Sequence, residues 1–143
     1  RILALKGRPR AKGLILIGSE FRQFARFLAP VPASLAERFP AWWPGPNTLL
    51  LPVSRRCPRW LRGQHAKLAV RLTAHAETAR LCHALGMALV STSANRGGRR
   101  PLKTAAACRA AFGRQVRVLP GRVGRRRAPS TILDPRSGMV VRA

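Results

Sequence analysis

The chain has 143 residues, 46% hydrophobic, with 28 Lys and Arg against 4 Asp and Glu and a net charge of +24. That length suits one domain with one core, and the apolar content argues against a disordered polyelectrolyte. No apolar run approaches the ~20 residues that span a bilayer, and neither a signal-peptide pattern nor a basic amphipathic helix stands out, so no membrane partner is predicted.

In chain order, Leu14–Ile17 is predicted as a buried strand. Ser19 is placed to cap a helix running through Leu28, with Phe21, Phe24 and Leu28 on one face. Pro30 and Pro32 break it, and Ser34–Glu37 has the spacing of a capping box opening a short helix. A stiff proline-glycine loop follows around Trp42 and Trp43. Thr48–Val53 and Leu68–Leu72 are predicted strands, joined by a basic loop that holds Trp60. Ala76–Leu85 is a predicted helix stopped by Gly86. Met87–Ser91 is predicted as the central strand. Thr104–Phe112 is a helix with Thr104 as cap, and Val116–Leu119, Ser130–Leu133 and Met139–Val141 are short strands. Alternating strands and helices imply an α/β layer fold.

The chemistry is bounded by what is missing. There is no Gly-x-x-x-x-Gly-Lys-Ser/Thr loop and no metal-ligand spacing of His, Cys or carboxylates. Glu20, Glu37, Glu77 and Asp134 are far apart, which argues against paired-carboxylate catalysis. Cys82 and His83 are adjacent on a helix and point apart. Cys57, Cys82 and Cys108 form no Cys-x-x-Cys pair, and the simplest setting for them is a reducing cytoplasm. His65, His75 and His83 are expected at the surface or at helix caps. The high positive charge calls for a polyanionic partner, with nucleic acid the natural one.

What remains is cation and hydroxyl chemistry. Leu89–Asn95 reads LVSTSAN: a strand-like run that delivers Ser91, Thr92, Ser93 and Asn95 to its carboxyl end, ahead of a Gly97-Gly98 loop. Ligand sites of open α/β sheets lie beyond such ends. Lys6, Arg8 and Lys12 cluster around Pro9 and suit phosphates, Arg as a fork and Lys as a point charge. Arg71 interrupts the apolar strand Leu68–Leu72, so it either lines a wet cleft, meets an anion, or pairs with a structural partner such as Asp134. Ser130 and Thr131 follow Pro129 and offer two hydroxyls.

Taken together, Lys6–Gly13, Trp43–Thr48, Leu68–His75, Leu89–Asn95 and the Pro129–Asp134 segment (PSTILD) resemble, in order and spacing, the YrdC/Sua5 family. The shorter TsaC-type threonylcarbamoyl-AMP synthases are the better fit. The resemblance implies a twisted mixed β-sheet with packed helices around a basic concave cleft. It implies condensation of L-threonine, bicarbonate and ATP into threonylcarbamoyl-AMP and pyrophosphate, for the threonylcarbamoyladenosine modification of tRNA. On that basis Lys6, Arg8, Lys12, Ser91, Ser93, Asn95 and Pro101 are expected on the ATP side, and Arg71, Ser130 and Thr131 on the threonine side. No residue is expected to act as nucleophile or base. Mg2+ is expected to ride on the phosphates. A downstream threonylcarbamoyl transferase complex and tRNA or double-stranded RNA are the implied macromolecular partners.

Three departures stand out. Gly97-Gly98 stands where the family usually has Ser-Gly, and Arg99 and Arg100 replace residues that are often apolar or proline. The chain has no tyrosine, whereas the family usually opens on a strand with a Tyr-Pro-Thr segment. Residues 1–143 are therefore read as a single YrdC-like domain, incomplete at its amino end. Such a chain is expected to leave an open sheet edge and to be a poor synthase. A non-catalytic RNA-binding YrdC-like module is the alternative. The related domain of hydrogenase-maturation carbamoyltransferases is a third reading, disfavoured because their zinc-finger-like and acylphosphatase-like parts have no counterpart here.

Overall fold

The structure is a computed structural model that describes residues 1–121, 123, 124 and 128–142. Its centre is a six-stranded mixed sheet. The strands are β1 (Ile15–Gly18), β2 (Asn47–Pro52), β3 (Lys67–Leu72), β4 (Leu89–Ser91), β5 (Thr131–Leu133) and β6 (Val140–Arg142). They lie in the order β4-β1-β3-β2-β5-β6. β1 runs parallel to β3 and β2 parallel to β5, while the other neighbours are antiparallel. Among the described residues, five short α-helices accompany the sheet: α1 (Ile2–Lys6), α2 (Ala33–Ala36), α3 (Arg59–Arg62), α4 (Ala76–Ala84) and α5 (Ala105–Phe112).

Side-chain alternation separates the two faces of the sheet. In β3, Leu68 and Val70 are fully buried, whereas Lys67, Ala69 and Arg71 are only half-buried. Leu68 and Val70 join Leu16, Leu49, Leu51 and Leu133 in the core, covered by Phe24, Leu28, Leu35 and Trp43. The opposite face carries a cross-strand row set by the register. Ser91 pairs with Ile15, Ile15 with Ala69, and Ala69 with Leu50. This row is the floor of a cleft.

The structure departs from the sequence reading in four places. Among the described residues β4 is an outer strand, paired with β1 alone, where a central strand was predicted. It is also shorter, because Met87 closes the end of α4 by donating from its amide to the Cys82 carbonyl, and its side chain is exposed. Phe21–Phe27 is a 3₁₀ segment, and the amides of Ser19 and Glu20 are taken by the Gln23 carboxamide instead of a Ser19 cap. α2 starts directly after Pro32, so Ser34 lies inside the helix and caps nothing. Val116–Leu119 forms no strand: Val116 and Val118 are half-buried and line one small cavity with Cys108 and Phe112 of α5.

Two helix caps and two surface histidines match the sequence reading. The Thr104 hydroxyl accepts from the Ala107 amide, and the His75 ring caps α4 by accepting from the Thr78 amide. His65 and His83 are exposed. All three cysteines are free, and burial pushes the Cys57 and Cys82 thiols above their ordinary pKa. Among the described residues no helix is long and apolar enough to cross a membrane, and no group of three or more His, Cys, Asp or Glu could hold a metal.

Candidate active-site cleft

α1 ends in a left-handed turn at Gly7, φ 60°, a conformation that costs any residue with a Cβ. The Gly7 and Arg8 amides return to the carbonyls of Ala4 and Leu3, at 3.1 and 2.9 Å. This turn separates Lys6 from Arg8. Lys6 is buried behind the loop that follows β4, whereas Arg8 faces the cleft, its Nε donating to the Gly13 carbonyl at 3.1 Å. Burial, helped by the nearby Arg8 charge, holds the Lys6 ammonium below the ordinary lysine pKa.

The loop after β4 is tied to itself and to Lys6. Lys6 Nζ donates to the Ser93 carbonyl at 2.5 Å, the Asn95 carbonyl at 2.6 Å and Asn95 Oδ1 at 3.0 Å. Ser93 Oγ donates to Asn95 Oδ1 at 2.6 Å, and Asn95 Nδ2 donates to the Arg99 carbonyl. Gly97 sits against α1, its amide donating to the Lys6 carbonyl at 2.7 Å. A Cβ there would lie 3.0 Å from the same oxygen. The glycine that replaces the expected serine is thus a close-packing residue.

A cavity of about 380 Å³ opens on the cleft side of this loop. It is lined by Arg8, Arg71, Ser91, Ser93, Pro101 and Ser130, all predicted from the sequence, with Ile15, Thr92, Pro129 and Arg142 between them. A contiguous recess of about 190 Å³ shares Arg8, Leu14, Ile15 and Arg142 and adds Lys12, Arg62, His65 and Lys67. Among the described residues no carboxylate lines either space. A larger cavity of about 870 Å³, between α1, Trp60 and the outer side of β4, carries only Arg8 of the predicted set and none of the hydroxyls.

The structure therefore separates the ten predicted residues. Six line the cavity together. Lys12 lies in the recess, and Lys6 and Asn95 shape the loop from behind. Thr131 does not line the cleft: Ser130 and Ile132 do, so the strand period turns Thr131 to the other face. Asp134 pairs with Lys67.

Sequence reasoning missed Arg142. From β6 its guanidinium donates to the Ser130 carbonyl (Nε 3.2 Å, Nη2 2.8 Å) and to Ser130 Oγ (3.1 Å). Thr48 Oγ1 also donates to Ser130 Oγ, at 2.9 Å. Thr48 and Arg142 thus hold the Ser130 hydroxyl from two sides. The available signal was an arginine closing the apolar run Met139–Val141, the same anomaly that drew attention to Arg71.

The Sua5/YciO/YrdC family model, described as "Telomere recombination", matches residues 1–143. The threonylcarbamoyl-AMP synthase of Chromobacterium violaceum is 56% identical over 142 residues, covering 99% of this chain and 74% of that protein. The synthase of Methylobacillus flagellatus is 54% identical, covering 99% and 79%. The crystal structure of P. abyssi Sua5 complexed with L-threonine superposes with a TM-score of 0.84 at 30% identity, over 94% of this chain and 40% of that one. E. coli YciO, at 20% identity and a TM-score of 0.78, shares the fold. With a matching model across its whole length and close relatives over nearly all of it, the chain belongs to the Sua5/YciO/YrdC family.

Proposed function

We propose that the chain is a threonylcarbamoyl-AMP synthase domain, condensing L-threonine, bicarbonate and ATP for the threonylcarbamoyladenosine modification of tRNA. The observation that carries this reading is the cavity itself: Arg8, Arg71, Ser91, Ser93 and Ser130 converge in one carboxylate-free space. In the reaction, the threonine nitrogen takes up the bicarbonate carbon and loses water. A carboxylate oxygen of that carbamate then attacks the α-phosphorus, and the bond to the β-phosphate oxygen breaks to release pyrophosphate. Every reactant carries a negatively charged group, and negative charge builds on the transferring phosphoryl oxygens. Fixed cations and hydroxyls in a shaped cleft supply what such a step needs, positioning and electrostatic stabilisation, without a protein nucleophile.

In this reading Arg71 takes the threonine carboxylate, and the Ser130 hydroxyl serves the same substrate. Ser91, Ser93 and Pro101 meet the nucleotide and carbamoyl groups. Arg8 and Lys12 bind phosphates, with Arg142 adding positive charge beside them. Mg2+ arrives as part of the nucleotide, since the lining offers it hydroxyls and cations but no carboxylate. The reaction places the chain in the cytoplasm, feeding a threonylcarbamoyl transferase complex. The test is pyrophosphate release from ATP with threonine or bicarbonate omitted in turn, alongside calorimetric titration of threonine. Release that needs both, with measurable threonine binding, supports the assignment. Release indifferent to threonine, or no threonine binding in the presence of ATP, overturns it.

The +24 charge and the cationic recess favour a second property, contact with tRNA or double-stranded RNA. If phosphate neutralisation drives it, affinity should fall steeply and linearly on a log–log plot against salt, with little sequence preference. Electrophoretic or fluorescence binding at several salt concentrations reads this slope, and a flat response would remove the electrostatic account. RNA binding without threonine-dependent chemistry would favour the non-catalytic module.

A further inference from the structure

We propose that Lys6 is a positioning residue: its buried ammonium is the post around which the loop from Ser93 to Leu102 is folded, and it acts on the nucleotide only through that loop. This deepens the synthase reading and rests on it for the identity of the ligand, but not for the loop. A lysine ammonium has three protons to donate. Here they go to the Ser93 carbonyl, the Asn95 carbonyl and Asn95 Oδ1, all on the loop. None is left for a phosphate. Lys6 is 7% exposed and does not line the 380 Å³ cavity, whereas Arg8, two residues on, does. The Lys-x-Arg pair is divided between the back and the front of the loop.

Three oxygens brought to one point repel each other unless a cation stands between them, and a buried cation is tolerable only with such partners. Each therefore explains the other. The remaining loop contacts branch from this point. Asn95 Oδ1, held by Lys6, also accepts from Ser93 Oγ, and the same amide group reaches Arg99. The Gly97 amide returns to the Lys6 carbonyl, and the Leu102 amide to Ala94. Removing the ammonium should free Ser93 and everything downstream to Pro101, the part of the loop that faces the cavity. Ser91 should stay in place, because the β4 ladder to β1 holds it.

The experiment compares Lys6→Met, Lys6→Arg, Gly97→Ala and Arg8→Ala with the unaltered chain. The first readout is hydrogen exchange in the absence of nucleotide. Amides of Asn95, Gly97 and Leu102 should exchange at least tenfold faster in Lys6→Met, those of β1 and β3 should not change, and Lys6→Arg should restore part of the protection. Gly97→Ala, which changes no charge, should reproduce the loosening and serves if Lys6→Met does not fold. Arg8→Ala should leave loop exchange as it is. The second readout is affinity for ATP against adenosine. A positioning role predicts that Lys6→Met loses both by a similar factor, while Arg8→Ala loses mainly ATP. Unchanged loop exchange, or a loss confined to ATP, would make Lys6 a phosphate ligand and overturn the proposal. The exchange arm contains no nucleotide, so a chain that failed to bind ATP would sink the synthase reading and leave this one to be judged by its loop.

Discussion

Arg71→Ala is expected to weaken L-threonine binding ten- to a hundredfold while affecting ATP binding less. The size follows from losing a charge-assisted hydrogen bond, worth about 1.5–3 kcal/mol. The direction follows from place. Arg71 rises from β3 next to β1, on the cleft face of the sheet and on the same cavity as Ser130. The phosphate-suited cations Arg8 and Lys12 come instead from the chain segment that leads into β1. Lysine in place of Arg71 should recover only part of the loss, because an ammonium cannot form the two parallel bonds of a guanidinium on a carboxylate. Calorimetric titration of each ligand with each variant decides the matter. A larger loss for ATP than for threonine would move Arg71 to the phosphate side.

The second large effect is on stability. Asp134 is 6% exposed, and its carboxylate receives the Lys67 ammonium and the Arg136 amide, the latter at 3.1 Å. Its backbone amide and carbonyl close the turn into β6 through Met139 and Gly138. Breaking a buried pair by removing one partner costs about 3–5 kcal/mol, but Lys67 keeps some of its side chain in water, so about 2–3 kcal/mol is expected for Asp134→Ala. In a chain of this size that lowers Tm by roughly 5–10 °C.

The same contacts give a pH signature. Burial pushes the Asp134 pKa up, but the bonds from Lys67 and the turn amides outweigh it, leaving the group below the ordinary carboxylate value. A depressed folded pKa means this stabilisation is complete above about pH 4, the unfolded value, and drains away as pH falls through the folded one. The gap in Tm between the unaltered chain and Asp134→Asn should therefore narrow below about pH 4. A constant gap would show that the charge of Asp134 contributes nothing.

The parts of the site legible in the sequence are those where a residue type contradicts its surroundings. Arg71 in an apolar strand, hydroxyls ending the run at Leu89, and Ser130 after a proline all announce a wet face, and all three meet in one cavity. The position of β4 was not legible. An apolar run looks alike whether it is central or outer, because burial by a helix or loop leaves the same composition as burial by neighbouring strands. The division between Lys6 and Arg8 was hidden too. Both are cations in one motif, and only the left-handed turn at Gly7 sends them to opposite sides of the loop. Thr131 and Ser130 could be told apart only once the register of β5 against β2 was known.

The sheet order also makes the cleft a ruler. Ser91 ends β4 and Ser130 precedes β5, and β1, β3 and β2 lie between those strands. At about 4.8 Å per strand step, four steps separate the two hydroxyl-bearing strands by roughly 19 Å along the sheet. That reach is set by backbone hydrogen bonds, so no side-chain exchange on the floor can lengthen or shorten it. Changes at Ile15, Ala69 or Leu50 would alter how deeply a ligand sits, but not how far it must stretch to touch both ends.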